Sequence, residues 1–189
     1  FTLVISSIFL LRPFTVKADV NVNINKETQI VTDLIGQYSI NYTGDANFFG
    51  FYGYYENNNY NEMVKDTDFK ATVDTIGKDK IVNSSIASLK KTDGATQIEA
   101  AYLVWETSVQ GKNKTDLVKK AANKAIYFAG ATAKGAFTKK VNASYAAVDM
   151  REPHLGTKEY TFSCMYVDVT SVVQKYGYGK YGVANVPYA

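Results

Sequence analysis

Ile98-Glu99-Ala100-Ala101-Tyr102-Leu103-Val104-Trp105-Glu106-Thr107 is the run on which the fold class turns. It is short, heavily apolar and rich in residues that fit a pleated surface, as a central strand of a two-sheet protein should be. Turn signals bracket it. Asp93-Gly94 precedes it and Lys112-Asn113-Lys114 follows it as an exposed loop. Trp105 is expected in the core.

Similar runs lie on both sides. Asn83 to Leu89 leads into the Asp93-Gly94 turn. Ala125 to Gly130, Phe137 to Ala143, Glu159 to Val169 and Tyr181 to Val186 read as further strands, and Asp19 to Val22 as a leading strand or an extended linker. Lys119 to Asn123 has some helical character before the chain returns to strand. Only Asp168 to Gly177 reads clearly as helix. Asp168 or Thr170 can accept a backbone N–H at its start. Val172, Val173 and Tyr176 share one face, and Gly177 suits the position just past its end. The expectation is an all-β chain, an antiparallel β-sandwich of jelly-roll type, with one short helix near residues 170–176.

The front end carries the second strong signal. Phe1 to Leu11 is apolar and uncharged, Arg12-Pro13 breaks the run, and Val16-Lys17-Ala18 offers small residues for cleavage before Asp19. That is the pattern of a secretory signal peptide lacking its basic start. Residues 1–18 are therefore expected to be a signal and 19–189 a β-sandwich domain cut short at its C-terminal end. Loss of Arg12 and Lys17 reduces 21 basic residues to 19, against 18 acidic ones. Such a balance gives no footprint for nucleic acid. No stable membrane insertion is expected once the signal is removed, and the localisation is secreted, or at the cell wall or cell surface.

In order, Gly44-Asp45-Ala46-Asn47-Phe48-Phe49-Gly50, Asn83 to Leu89, Ala101-Tyr102-Leu103-Val104-Trp105, Tyr166-Val167-Asp168-Val169-Thr170 and Gly179 to Val186 form a set. That set resembles the N-terminal β-sandwich of secreted or cell-wall-anchored, adhesin-like surface proteins of Gram-positive bacteria, over about residues 38–187. The resemblance implies a non-catalytic extracellular module that presents or binds a host or glycan ligand. Two alternatives stand beside it. One is a carbohydrate-binding module attached to a hydrolase beyond residue 189. The other is a structural stalk or fibre subunit. Many wall-anchored stalks also carry an internal Lys–Asn or Lys–Asp isopeptide bond, and Lys124, beside a strand, is the lysine to test for one.

Chemistry-bearing residues are sparse. His154 is the single histidine and lies in a polar loop, and Cys164 is the single cysteine, in an apolar strand-like run. A buried, inert thiol is expected. One His and one Cys do not make a zinc site. Calcium needs only oxygen ligands, and Asp45, Asp66, Asp68 and Asp168 are weak candidates, although Asp45 and Asp66 suit turns and Asp168 a helix cap. Glu99 and Glu106 flank Trp105, seven residues apart, which in one strand puts them on opposite faces. They make poor glycosidase partners, and no enzyme activity and no cofactor other than calcium are expected. The stretch Phe48 to Asn61 is the most unusual. Tyr52, Tyr54, Tyr55, Asn57 and Tyr60 combine ring faces with planar hydrogen-bonding groups, and are the expected contacts for an extracellular protein or glycan.

Overall fold

The computed structural model describes residues 21–24, 61–110, 114–149 and 160–187. Eight strands form two four-stranded sheets. They are β1 (Asn21–Ile24), β2 (Ser84–Leu89), β3 (Tyr102–Gln110), β4 (Ile126–Thr132), β5 (Gly135–Val141), β6 (Tyr145–Asp149), β7 (Tyr160–Asp168) and β8 (Gly179–Ala184). The first sheet has the order β1-β6-β7-β3 and the second β2-β8-β4-β5. Every pairing is antiparallel except that of β1 with β6. The expectation of an all-β chain holds at that level.

Alternation along the strands explains how the sheets are covered. Ile126 and Phe128 of β4 and Tyr181 and Val183 of β8 belong to two apolar clusters that also contain Leu103, Met165 and Val167 of the first sheet. The intervening Tyr127, Ala129, Ala131 and Ala184 belong to a third cluster, built with Met63, Phe69, Val73 and Ile76. The second sheet is thus apolar on both faces. Trp105 is 6% exposed in the first cluster, as expected of a core residue. Among the described residues its indole Nε1 finds no hydrogen-bond partner.

Helical structure is more extensive than the single expected helix. The helix α4 (Thr170–Tyr176) is where the sequence puts it. Asp168 Oδ1 accepts the Thr170 N–H at 2.8 Å, and Gly177 closes the end with φ 71°. Thr170 is not the cap. Its Oγ1 accepts the Ala101 N–H instead. Three further helices add to this picture. α1 (Glu62–Lys65), a 3-10 turn at Thr67–Phe69 and α2 (Lys70–Ile76) form the layer over the outer face of the second sheet. Their apolar residues (Met63, Phe69, Val73, Ile76) are spaced three, four or six apart, a helical and not an alternating pattern. α3 (Lys114–Ala122) begins where a loop is expected. Leu117, Val118, Ala121 and Ala122 recur at helical spacing and face the Trp105 cluster.

The Ile98–Thr107 run also divides differently. Ile98 to Ala101 is irregular, and β3 starts at Tyr102 and continues to Gln110. Glu99 therefore lies outside the strand, so its alternation relative to Glu106 has no meaning.

Two asparagines join the ends of β2 and β8. Asn83 Nδ2 donates to Val186 O while Val186 N–H donates to Asn83 Oδ1, both at 2.9 Å. Asn185, at φ 62°, accepts the Val82 N–H and donates to Lys80 O. Asparagine tolerates this left-handed conformation better than most residues because its short polar side chain bonds nearby backbone.

Candidate functional site

A groove of about 720 Å³ opens where three segments meet. The first is Thr96–Glu99, ahead of β3. The second is the β4–β5 turn at Ala133 and Lys134. The third is the end of α4, from Gln174 to Tyr178. Its volume is in the range of small-ligand clefts.

Each segment is tied down. Gln174 Nε2 donates to Ile98 O at 2.8 Å, joining α4 to the first segment. Thr132 Oγ1 donates to Tyr176 O at 2.8 Å, joining β4 to α4. The Lys134 N–H donates to Thr132 Oγ1 at 3.2 Å, which shapes the turn. Beneath, the Tyr176 ring packs on Phe137 at 4.5 Å between centroids. Tyr181 Oη donates to Gly177 O, and burial pushes the Tyr181 phenol up to about 12. It stays a neutral donor at physiological pH.

The polar residues of the groove are two glutamines, Thr96, Tyr176, Tyr178 and one charge of each sign. Gln97 Nε2 donates to a Glu99 carboxylate oxygen at 2.8 Å. Each glutamine commits one amide N–H to the protein and keeps a second N–H and a carbonyl oxygen. Glu99 and Lys134 are exposed, and Tyr178 is half-buried. Sequence reasoning missed this groove because Ile98-Glu99 reads as the head of a strand. The available signal was Tyr176-Gly177-Tyr178, two rings on either side of a helix-ending glycine.

The expected ligand contacts Tyr52, Tyr54, Tyr55, Asn57 and Tyr60 lie outside the described residues, as do the signal segment 1–18, Asp45 and His154. The other calcium candidates are described, and the three do not share one site. Asp66 and Asp68 meet over the Lys180 ammonium, at 2.9 and 2.7 Å, so a cation already sits between them. Asp168 serves the start of α4. Among the described residues no group of three or more His, Cys, Asp or Glu side chains is placed to hold a metal ion. If a divalent ion bound here, Asp66 and Asp68 are the two that would have to release Lys180.

The Asp66–Lys180–Asp68 cluster instead fastens the helical layer to β8. Hydrogen bonding to Lys180 holds the Asp66 carboxyl below the usual range, against the opposing effect of its partial burial. The two aspartates push Lys180 up to about 12. A carboxyl with a lowered folded pKa stabilises above its unfolded value, about 3.9, and loses that contribution as pH falls through the folded value. A lysine with a raised pKa stabilises below about 10.4 and loses that contribution as pH rises through the folded value, here about 12. The melting-temperature gap between wild type and Lys180→Met is therefore expected to be flat from about pH 5 to 10 and to narrow below about pH 4. An equal gap at pH 2.5 and pH 7 would show that the cluster acts by packing alone.

Cys164 is exposed, contrary to the expectation of a buried thiol. Ser163 and Met165 are buried, so strand alternation turns Cys164 to the outer face of the first sheet. Its inertness has another cause. Partial burial of the sulfur, and the carboxylate of its cross-strand neighbour Glu106, push the thiol above its ordinary range. It is protonated at neutral pH and a poor nucleophile. The same face carries Tyr166 between Tyr102 and Tyr145, at 6.2 and 5.2 Å between centroids.

Lys124 is exposed, so it lacks the buried setting that an internal isopeptide bond requires. Among the described residues, no helix is long and apolar enough to cross a membrane. Compared with known proteins, the chain finds no match to a family model, a curated protein or a solved structure.

Proposed function

We propose that this chain is an exported, non-catalytic surface module that binds an extracellular glycan, built as a β-sandwich of jelly-roll type. The observation that carries the binding reading is the groove at the end of α4. It brings Tyr176 and Tyr178 together with carboxamides that have unused donors and acceptors. Apolar ring faces and planar hydrogen-bonding groups are what a sugar offers partners for. The sandwich reading is supported by two apolar clusters that draw on both sheets. Export, and placement at the cell wall or surface, rest on the signal-like front end and on the resemblance of the ordered motifs to adhesin-like surface domains.

A glycan-array screen tests the reading. Wild type is expected to retain at least one glycan class. Tyr178→Ala combined with Lys134→Ala is expected to weaken that binding at least tenfold, about 1.4 kcal/mol. Both side chains lie at the rim of the groove, and neither supports the core. Tyr54→Ala combined with Tyr55→Ala forms the second arm. Loss in that arm alone would move the site to the Tyr52–Tyr60 cluster. No retained glycan would favour a stalk or fibre subunit, and a catalytic domain in the sequence beyond residue 189 would favour a carbohydrate-binding module.

A further inference from the structure

Each sheet ends in two edge strands, and three of the four described edges are blunted. β1 is four residues long. β5 carries Lys139 and Lys140, both exposed. β2 is covered by α1: the Ile86 N–H donates to a Glu62 carboxylate oxygen at 2.8 Å, Ser84 Oγ accepts the Met63 N–H, and Asn61 bridges to Ser84. Short length, lysines and a covering helix are three standard defences of a sheet edge. Among the described residues, the fourth edge, β3, has none of them. It runs nine residues in unbroken register with β7, holds no proline or lysine, and has one charge, Glu106.

The direction of its free backbone groups follows from the register. The Val169 N–H donates to Ala101 O at 2.9 Å, and the ladder continues as Tyr102 with Asp168 and Leu103 with Val167. In an antiparallel pair, hydrogen-bonded and non-hydrogen-bonded pairs alternate. The odd-numbered residues Ala101, Leu103, Trp105 and Thr107 therefore bond toward β7. The N–H and C=O groups of Tyr102, Val104 and Glu106 point away from β7, to the edge on which no described strand pairs. Val104 is also 55% exposed, the more exposed of the two large apolar residues that stand out on the described surface.

We infer that the β3 edge is a homodimer interface, in which β3 of a second copy adds antiparallel about a two-fold axis at Val104. That register sets Val104 against Val104, Tyr102 against Glu106, and Leu103 against Trp105. Each edge-facing pair exchanges two backbone hydrogen bonds. It covers the exposed valine and keeps the carboxylates apart. A two-fold at Glu106 would place like charges directly opposite, which is destabilising. The edge is thus complementary to itself, as a two-fold interface must be. This partner is additional to the glycan at the groove, whose first segment, Thr96–Glu99, leads into β3.

Cross-linking tests the register. In a hydrogen-bonded pair the Cα atoms are about 5.5 Å apart, within the roughly 4.4–6.8 Å span of a disulfide. In a Cys164→Ser background, Val104→Cys is expected to give a disulfide-linked dimer under mild oxidation. Glu106→Cys places its two copies four strand positions apart, about 13 Å, and is expected not to cross-link. Sedimentation velocity is the second measurement. Wild type should dimerise with rising concentration, and Val104→Lys should be monomeric with an unchanged melting temperature. A wild type that stays monomeric at about 1 mM, where even weak association shows, overturns the proposal. So does a dimer that survives Val104→Lys, or cross-linking equal at both cysteines. A monomer that instead captures a strand-forming peptide would also overturn it, and would assign the edge to a foreign strand.

Discussion

Phe137→Ala is expected to lower the free energy of unfolding by about 3–5 kcal/mol, the usual cost of emptying a buried phenylalanine site. Phe137 sits on β5, faces the first sheet and is buried. Its ring meets Phe128 at 5.3 Å edge-on, Tyr176 at 4.5 Å and Tyr181 at 6.0 Å. Its cross-strand partner is Gly130. A Cβ built on Gly130 would lie 2.3 Å from Phe137 Cε1. The ring therefore occupies the space that the missing side chain leaves, and three other rings prevent it from moving aside. Gly130→Ala alone is expected to be destabilising for that reason. In the Phe137→Ala background the same change meets no ring, and its cost is expected to disappear. Urea denaturation of the two single variants and the double variant gives the coupling directly, expected at about 1–3 kcal/mol. Additivity within about 0.5 kcal/mol would show that the ring has room to adjust. The same cluster bears on function. Tyr176 stacks on Phe137 and helps line the groove, so the core variant should loosen the groove as well as the fold.

The sequence made the strand-like motifs legible one by one, and the structure pairs them. Ala101 to Trp105 and Tyr166 to Thr170 stood out separately, and they are neighbours in space: β3 pairs with β7, and Ala101 bonds to both Val169 and Thr170. Asn83 to Leu89 and Gly179 to Val186 likewise become β2 and β8, joined by Asn83 and Asn185. Runs that must match a partner across a ladder keep a regular pattern, and a regular pattern is readable. The α1–α2 layer was not readable as such. Its helices are four and seven residues long, too short for a periodicity to stand out beside the strands. β6, Tyr145–Asp149, escaped for a similar reason: Tyr-Ala-Ala-Val-Asp offers little contrast between faces. Of the groove only Tyr176-Gly177-Tyr178 left a signal, because its three segments are distant in sequence and only the folded chain brings them together. Cys164 was misjudged by composition. Its neighbours are apolar, but the strand's period of two decides which of them share its face.

The second sheet needs its helical layer, and Phe69 is where that need is greatest. The outer face of this sheet is paved with small residues, Ala129, Ala131, Gly182 and Ala184 among them. Such a floor lets large side chains from above settle close to the backbone. A Cβ on Gly182 would come within 2.5 Å of Met63 Cε and 3.1 Å of Phe69 Cε1. Met63 and Phe69 are both 0% exposed, so no water takes their place when they are shortened unless the layer lifts. Phe69→Ala is accordingly expected to cost about 3–5 kcal/mol. The Lys180 ion pairs to Asp66 and Asp68 are partly exposed and screened by solvent, so they cannot substitute for it. The layer also guards an edge. Glu62 and Met63 hold Ile86 and Ser84 of β2, so a loosened layer exposes the Ile86 N–H. Native-state hydrogen exchange should then show Ile86 losing protection in Phe69→Ala well before Phe128, whose strand β4 is flanked by β5 and β8. If both amides lose protection together, the layer and the sheet unfold as one unit. If Phe69→Ala costs under about 1 kcal/mol, the packing argument fails, because only a site able to collapse fully loses so little.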